Sequence, residues 1–306
     1  MPKSCDHSQI ELDASTGMSL VVIQDLSGGK ENVPVRAEWH DADGIQSNAS
    51  PSPPFRAFQY ITRNLIPPQA AEPFYDGCTC QHSCLDMPSA CACTTTHAPA
   101  YTQMGFLKLE TPPIYECNSN CTCPRTCSNR VVQHGLKAPL CVFKHDSNKG
   151  WGVRALSVIL AGAFVTEYAG EVIGTKEAER RWIEMKKTGS SNYILCLREY
   201  GPDGQVYRTN IDPLRFGNVA RFISHSCSPN LGMHIARIDS IVPSAALFVL
   251  RDIQPGEELT FDYGGSASLN WAESGDGVIE NAHDGRIECL CGSSNCRGYL
   301  PYDPAL

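Results

Sequence analysis

Apolar positions are unevenly spread along this chain. Between Val131 and Tyr263 they gather into short runs, "GAFVTEYAGEVIG", "SNYILCL" and "AALFVLRDI", separated by Gly and Pro turns. Runs of this length bounded by turn residues read as strands. "QPGEELTFDY" reads as a turn into one more. A single helix stands out: Thr175 can cap "KEAERRWIEMKK", with Ala178, Trp182 and Met185 on one face and Gly189 as its end. The body is therefore mainly β. Ahead of it, "DGIQSNASPSPPFRAF" and "LIPPQAAEP" are rich in proline and small residues and read as wrapping or linker segments, not core. The pattern divides the chain into an N-terminal wrapping or linker segment (1–76), a cysteine module (77–138) and a body (139–264). A flexible acidic linker (265–284) and a second cysteine module (285–301) follow. There is no internal repeat, and no apolar run reaches the length of a membrane span.

Cysteine placement changes the picture most. The first module reads Cys78-x-Cys80-x3-Cys84-x6-Cys91-x-Cys93, then Cys117-x3-Cys121-x-Cys123-x3-Cys127. Nine thiols cannot pair off internally, and neighbours at C-x-C spacing rarely meet disulfide geometry. The start, "MPKSCDHSQIELDAST", lacks a basic segment followed by an apolar stretch, so a secreted chain is not expected. A cytosolic or nuclear chain keeps its thiols reduced, which favours metal. The sequons at Asn48 and Asn120 are then chance matches. Nine thiolates can serve two mononuclear zinc sites with one cysteine spare, or three zincs if three sulfurs bridge. The three-zinc arithmetic closes, with a net charge that Arg125, Arg130 and backbone N–H groups can offset. Such a site is structural, because no ligand position stays open, and the module would unfold without metal. The tail offers Cys289-x-Cys291-x4-Cys296, one ligand short of a tetrahedron, and Cys227 in "SHSCSPN" is the natural fourth. Of the remaining cysteines, Cys141 and Cys196 read as core thiols; Cys5 is unassigned. The competing reading, a secreted disulfide protein, predicts few free thiols.

Charge adds one feature. The net charge is −8, which argues against a bulk nucleic-acid binder. Residues 251–288 hold nine acids (Asp252, Glu257, Glu258, Asp262, Glu273, Asp276, Glu280, Asp284 and Glu288) against Arg251 and Arg286. This is either a solvated face or a docking surface for a basic partner.

The ordered set "KGWGVRA" (149–155), "EYAGEVI" (167–173), "SNYILCL" (191–197), "GNVARFISHSCSPN" (217–230), "ELTFDYG" (258–264) and "CLCGSSNCRGYL" (289–300), with the nine cysteines, resembles the SET-domain protein lysine methyltransferases. Within them it resembles the class with a nine-cysteine pre-SET module and a post-SET module. "VPV", "AFQY" (57–60), "SNYI" and "ARIDSIVP" look most like the SET–mariner branch. The resemblance implies a β-rich SET fold with a C-terminal pseudoknot, three zincs in the pre-SET module and one in the post-SET module. It also implies S-adenosyl-L-methionine as methyl donor.

The reaction this implies is an in-line attack of a lysine amine on a sulfonium methyl. A lysine with an unperturbed pKa of about 10.4 is almost fully protonated near neutrality. A narrow apolar channel, with the sulfonium charge beside it, disfavours the ammonium. Alignment and a fitted electrostatic surround then do most of the catalysis, and aromatic walls favour a methylammonium. By resemblance, Tyr263 is the catalytic tyrosine, and Tyr168 and Tyr193 line the channel or the cofactor site. Phe261 sits where the family limits methyl number; phenylalanine leaves room for di- or trimethylation. The cofactor lies along Lys149, Gly150 and Trp151, with Gly150 and Gly152 permitting close backbone approach. Arg221, Ser224 and His225 match the donor-binding loop, and Leu290 flanks the adenine; His225 also reads as a structural histidine. One departure matters: Ser224 stands where the family carries asparagine, and loses one side-chain acceptor–donor set. The implied partner is the histone H3 tail, at lysine 9 as in most nine-cysteine members, or at lysine 36 or lysine 4, or another basic lysine-containing peptide. The implied setting is nuclear chromatin, with no direct DNA-binding module evident. The alternative is a zinc-bound chromatin scaffold, poorly active because of Ser224.

Overall fold

Short strands of β-branched, leucine and aromatic residues pair across long sequence separations to build most of the molecule. The computed structural model describes residues 8–12, 19–40, 57–108, 113–146, 149–189, 192–201, 204–264 and 287–301. Among these, the main sheet runs Ser8–Leu12, Ser19–Ile23, Val35–His40, Leu140–Lys144, Trp151–Ala155, Glu258–Phe261, Leu231–Arg237, Ser244–Val249, Phe164–Glu167. Two short strands lie off this path: Ser224–His225 against Glu258–Phe261, and Ile114–Tyr115 against Leu231–Arg237. A three-stranded sheet of Leu195–Tyr200, Val206–Asp212 and Glu171–Ile173 carries the helix Thr175–Thr188. The main core gathers Val35, Leu140, Val142, Val153, Ile211, Leu231, Leu247 and Leu259, all essentially fully buried.

Two expectations are corrected. The N-terminal 1–76 does not only wrap: Ser19–Ile23 and Val35–His40 extend the main sheet, and Val21, Val22, Val35 and Ala37 are fully buried. The reason is non-local, since Val35–Glu38 pairs in parallel with Leu140–Phe143, a partner invisible to local pattern. The proline-rich stretch 65–73 is largely exposed, as expected of a wrap; 43–56, Cys5 and the linker 265–284 fall outside the described residues. The helix is capped by Gly174, with no side-chain cap, and Thr175 is its first residue. Thr175 Oγ1 instead accepts a long contact from Asn210 at 3.5 Å. Gly189 ends the helix in the left-handed conformation as expected, at φ 66°. Ala178 and Met185 are buried, whereas Trp182 is half-buried beneath Lys186.

One carboxylate ties the parts of the cysteine module to one another. Glu116, 3% exposed, accepts from the Tyr101 hydroxyl (2.7 Å), the Val131 and Val132 N–H groups (2.8 and 2.6 Å) and Gln133 Nε2 (2.8 Å). A buried carboxylate with this many donors has its acceptor capacity met. Arg181 does the same for the helix: its Nη1 meets Asp212 and Glu171 at 2.7 and 2.8 Å, and its Nε meets Glu177 at 2.8 Å.

Glu167 is the opposite case. It ends the strand Phe164–Glu167, is 4% exposed, and its Oε1 accepts a long bond from the Asn64 N–H at 3.4 Å. It lines a cavity of about 170 Å³ with Glu31, Arg63 and His134. Burial pushes its carboxyl up to about 7, against weaker pulls from Ser244, the Asn64 N–H and Arg63. An acid whose folded pKa is raised contributes fully below its unfolded pKa and loses that contribution as pH rises through the folded value. Glu167→Gln stays neutral throughout. It should therefore remove a stability loss on the order of 2 kcal/mol between about pH 5.5 and 8. Urea midpoints of both proteins across that range check this; parallel declines would show that Glu167 is not the titrating group.

Candidate active site and zinc centres

All nine thiols of the cysteine module converge. Three overlapping groups have their sulfurs within 4.8 Å of one another: Cys78, Cys80, Cys84 and Cys91; Cys78, Cys117, Cys121 and Cys123; and Cys84, Cys117, Cys123 and Cys127. The ninth, Cys93, joins through Cys121 at 3.5 Å. Cys78–Cys84 and Cys84–Cys117 are also 3.5 Å apart, and every described cysteine is a free thiol. A disulfide requires about 2.05 Å, whereas a zinc tetrahedron with bonds of about 2.3 Å spaces its sulfurs roughly 3.8 Å apart. The donor set fits zinc shared between groups. Arg130, 8% exposed, brings its Nη2 to 3.5 Å from Cys123 Sγ, while Arg125 is exposed. The Cys78 and Asn118 N–H groups donate to Cys121 Sγ at 3.4 and 3.2 Å, and Cys84 N–H to Cys127 Sγ at 3.2 Å. Cys117 first, and then this N–H against the effect of burial, lower the Cys127 thiol to about 4. Thiolate is the form that binds metal.

The tail builds a second centre. Cys227, Cys289, Cys291 and Cys296 form one group, with Cys227 and Cys289 at 3.9 Å. The Arg297 N–H donates to Cys227 Sγ at 3.4 Å and Asn295 Nδ2 to the Cys227 carbonyl at 3.2 Å, so the tail grips the loop that precedes Leu231. Cys141 is fully buried and Cys196 packs beside Ala178 and Met185, as core thiols do.

Between these centres lies an aromatic cluster. Phe261 is 2% exposed, and its ring centroid lies 4.8 Å from Tyr263 and 6.0 Å from Tyr168. The Tyr168 hydroxyl donates to the Tyr193 carbonyl at 2.7 Å, and the Tyr263 hydroxyl to the Ile223 carbonyl at 2.8 Å. Tyr263 is 39% exposed as a residue, but its hydroxyl end is inside, and burial raises its pKa well above the ordinary range. It stays a neutral hydroxyl. Register does the gathering: Glu258–Phe261 pairs in parallel with Ser224–His225 (Ser224↔Thr260, His225↔Phe261) and antiparallel with Trp151–Ala155 (Leu259↔Val153).

The other expected site residues surround this cluster in different ways. Arg221, 5% exposed, lies with its guanidinium carbon 4.8 Å from the Tyr193 ring centroid. Its Nε and Nη1 have no hydrogen-bond partner among the described residues. Unpartnered buried donors are costly, and an anionic group of a bound ligand would satisfy them. Trp151 stacks edge-on against Phe222 and Trp39. Gly150 takes φ 87°, and a Cβ on Gly152 would come within 3 Å of His145, Glu258 and Phe143. Lys149 is committed elsewhere than expected: its Nζ binds both oxygens of Glu258 at 2.8 and 2.9 Å. Ser224 Oγ donates to the Trp151 carbonyl at 3.4 Å. His225 Nδ1 accepts from the Tyr263 N–H at 3.2 Å, and its Nε2 lies 3.4 Å from both Cys227 Sγ and Arg297 Nη2. Its ring thus ties Tyr263 to the tail zinc centre. Leu290 is 46% exposed on the tail.

The acidic stretch 251–288 is corrected in part. Glu257 pairs with Arg251, Glu258 with Lys149 and His145, and Asp262 with Arg297. Asp252 accepts from the Ala161 N–H. These four carboxylates hold the fold together and are not a bare acidic face; Glu273, Asp276, Glu280 and Asp284 fall outside the described residues. Sequence reasoning passed over Glu258, Arg297 and Phe58 as site residues. Their motifs "GEEL", "NCRGYL" and "AFQY" were visible, but a lone charge in a turn gives no signal of its partner.

Comparison with known proteins agrees with this geometry. Residues 150–264 match the SET domain and residues 27–130 the Pre-SET motif. The chain is 43% identical over 295 residues to the histone-lysine N-methyltransferase SETMAR of Bos taurus, covering 92% of this chain and 90% of that protein. It is 38% identical over 279 residues to the histone-lysine N-methyltransferase SUV39H1-A of Danio rerio, covering 86% of this chain and 66% of that protein. Among solved structures it resembles the methyltransferase domain of human SETMAR, with a TM-score of 0.72 at 38% identity over 92% of this chain and 98% of that one. KRYPTONITE, solved with DNA, an H3(1-15) peptide and SAH, gives 0.69 at 28% identity, over 97% of this chain and 61% of that one. With its zinc-fitting thiolates, its aromatic cluster and these relatives, the chain belongs to the SET-domain histone-lysine N-methyltransferases, in the branch that carries a Pre-SET motif.

Proposed function

We propose that this chain methylates a lysine of the histone H3 tail, using S-adenosylmethionine as donor and acting at nuclear chromatin. The observation that carries the reading is the convergence of Tyr168, Phe261 and Tyr263 beside a buried arginine with unpartnered donors. S-adenosylmethionine supplies, when bound, a methyl on a positively charged sulfur. Arg221 offers Nε and Nη1 to the donor's anionic end, and Trp151 and Gly150 line its approach. Leu290 covers it from the tail. The apolar rings strip water from the lysine head, which disfavours its ammonium form. Tyr263, kept neutral by burial, holds its hydroxyl where it can orient the neutral amine. Phe261 has no hydroxyl to restrain that amine, so repeated turnover to a di- or trimethyl product is the expected course.

Lysine 9 is taken as the first target on the nine-cysteine resemblance; the H3(1-15) peptide solved with a related fold reaches lysines 4 and 9 but not 36. The SETMAR likeness keeps lysines 36 and 4 as alternatives. Intact-mass analysis of H3 peptides bearing each lysine tests this. Stepwise methyl gains on the lysine 9 peptide, reaching two or three, support it. Gains on another peptide move the target, and a stop at one methyl removes the role given to Phe261.

A second reading, a zinc-bound chromatin scaffold, follows from Ser224, whose hydroxyl is turned to the Trp151 carbonyl at 3.4 Å. Calorimetric binding of S-adenosylmethionine to the wild type and Ser224→Asn separates the two: binding lost in the wild type and restored by asparagine favours the scaffold, and tight binding in both rules against it.

Tyr263→Phe should keep the fold and the zinc while kcat falls by about 10²–10³, the order seen when one positioned polar group is removed from a reacting centre; unchanged turnover would remove Tyr263 from the mechanism.

Three ions in the nine-thiolate cluster and one in the tail account for every clustered sulfur, so elemental analysis should find four zincs per chain. Cys296→Ser should lose one zinc and most activity while the cluster's ions remain. A wild-type content near two would break the shared-sulfur assignment.

A further inference from the structure

We infer that Phe58 is a positioning residue of the methyl-donor site, holding the buried Arg221 guanidinium against its ring while its own segment clasps both halves of the transfer site. The inference rests on the reading of Arg221 as a donor-binding group.

Arg221 is a charge placed among rings. Its guanidinium carbon lies 4.3 Å from the Phe58 ring centroid, 4.8 Å from Tyr193 and 5.3 Å from Phe222. Burial pulls its pKa down, and two of its three nitrogens lack partners. A guanidinium with so few hydrogen bonds is oriented by the faces it stacks on. Phe58 is the nearest of these, and it comes from outside residues 150–264.

Phe58 is itself held on both sides. It packs 5.8 Å from Phe222, which in turn meets Trp151. The strand Gln59–Tyr60 pairs in parallel with Phe216–Gly217, four residues before Arg221, through the Gln59 N–H to the Arg215 carbonyl (2.7 Å) and the Ile61 N–H to the Gly217 carbonyl (2.8 Å). Farther along, Asn64 Oδ1 accepts from the Gly170 N–H at 3.0 Å, and the Leu65 N–H donates to the Gly170 carbonyl at 2.9 Å. Gly170 is two residues beyond Tyr168, and a Cβ there would meet Asp212 backbone at 2.6 Å. Segment 57–65 thus fixes the Arg221 loop at one end and the Tyr168 strand at the other. A displaced Phe58 would free Arg221 to turn without disturbing the lysine channel, so donor and peptide affinity should separate.

The test uses the zinc-loaded full chain with Phe58→Leu, which keeps an apolar body but has no ring face, and Phe58→Tyr, which keeps both. Phe58→Met replaces the leucine variant if that one does not fold. The expected result is S-adenosylmethionine affinity, by calorimetry, weaker by about tenfold in Phe58→Leu. The donor KM should rise to match, with peptide KM and melting temperature near wild type and Phe58→Tyr restoring affinity. Unchanged donor affinity in Phe58→Leu, alongside a loss in Arg221→Ala, overturns the inference and leaves the donor reading standing. Unchanged affinity in Arg221→Ala overturns the donor reading and the inference together. Equal losses in donor affinity, peptide KM and melting temperature would show a merely structural role and overturn it too.

Discussion

The pairing of the strand Glu258–Phe261 is the constraint on which the rest depends. It lies between Trp151–Ala155 on one side and the Ser224–His225 and Leu231 segments on the other. Three stretches far apart in sequence are thereby brought within a strand spacing. Shifting its register by one residue would turn Phe261 out and Thr260 in, and the aromatic cluster would be lost. Its buried side is set by Leu259 and Phe261, 0% and 2% exposed. Glu258 reinforces the register from its other side through Lys149 and His145. Burial alone would raise the Glu258 pKa, but the Lys149 and Ser224 hydrogen bonds outweigh it and keep the carboxylate charged.

Metal centres brace this strand from two directions. Among the described residues the nine-cysteine module holds only single helical turns and the short strand Ile114–Tyr115, so its clustered thiols, which fit zinc, supplement a small apolar core there. It meets the body through the Glu116 N–H, which donates to the Arg237 carbonyl at 3.0 Å, and through the pairing of Ile114–Tyr115 with Ala236–Arg237. The tail centre acts closer to the chemistry. Arg297 binds Asp262 at 2.8 Å, between Phe261 and Tyr263, and His225 links Tyr263 to Cys227. The tail and Tyr263 therefore share their fastenings. Two charges that look like a docking face in the sequence are fasteners instead: Glu258 holds the strand to Lys149 and His145, and Asp262 holds the tail through Arg297.

How far the sequence reached varied with the range of the interaction. Zinc-binding cysteines, the helix end at Gly189 and the short strands were legible because spacing, a left-handed cap and turn-bounded apolar runs are local signals. The helix start was misplaced by one residue, since Gly174 caps by conformation and leaves Thr175 to face Asn210. The role of Val35 in the main core was missed because its sheet partner lies a hundred residues on, at Leu140–Phe143, and the burial of Val21 and Val22 follows from their pairing with Val35–His40.

By itself, then, the sequence determined the chemistry available: thiolates in a zinc-binding count, aromatic residues for a lysine channel, and glycines for close backbone approach. Residue type and short spacing carry that information, because ligand chemistry and ring faces belong to the side chain. Tertiary structure alone decided which groups meet. It turned Lys149 to Glu258, gave the His225 ring to Tyr263 and Cys227, and set Arg221 beside Phe58 with two donors unmet. Those pairings arise from strand register and burial across long loops, and the free energy of a buried charge depends on every neighbour at once.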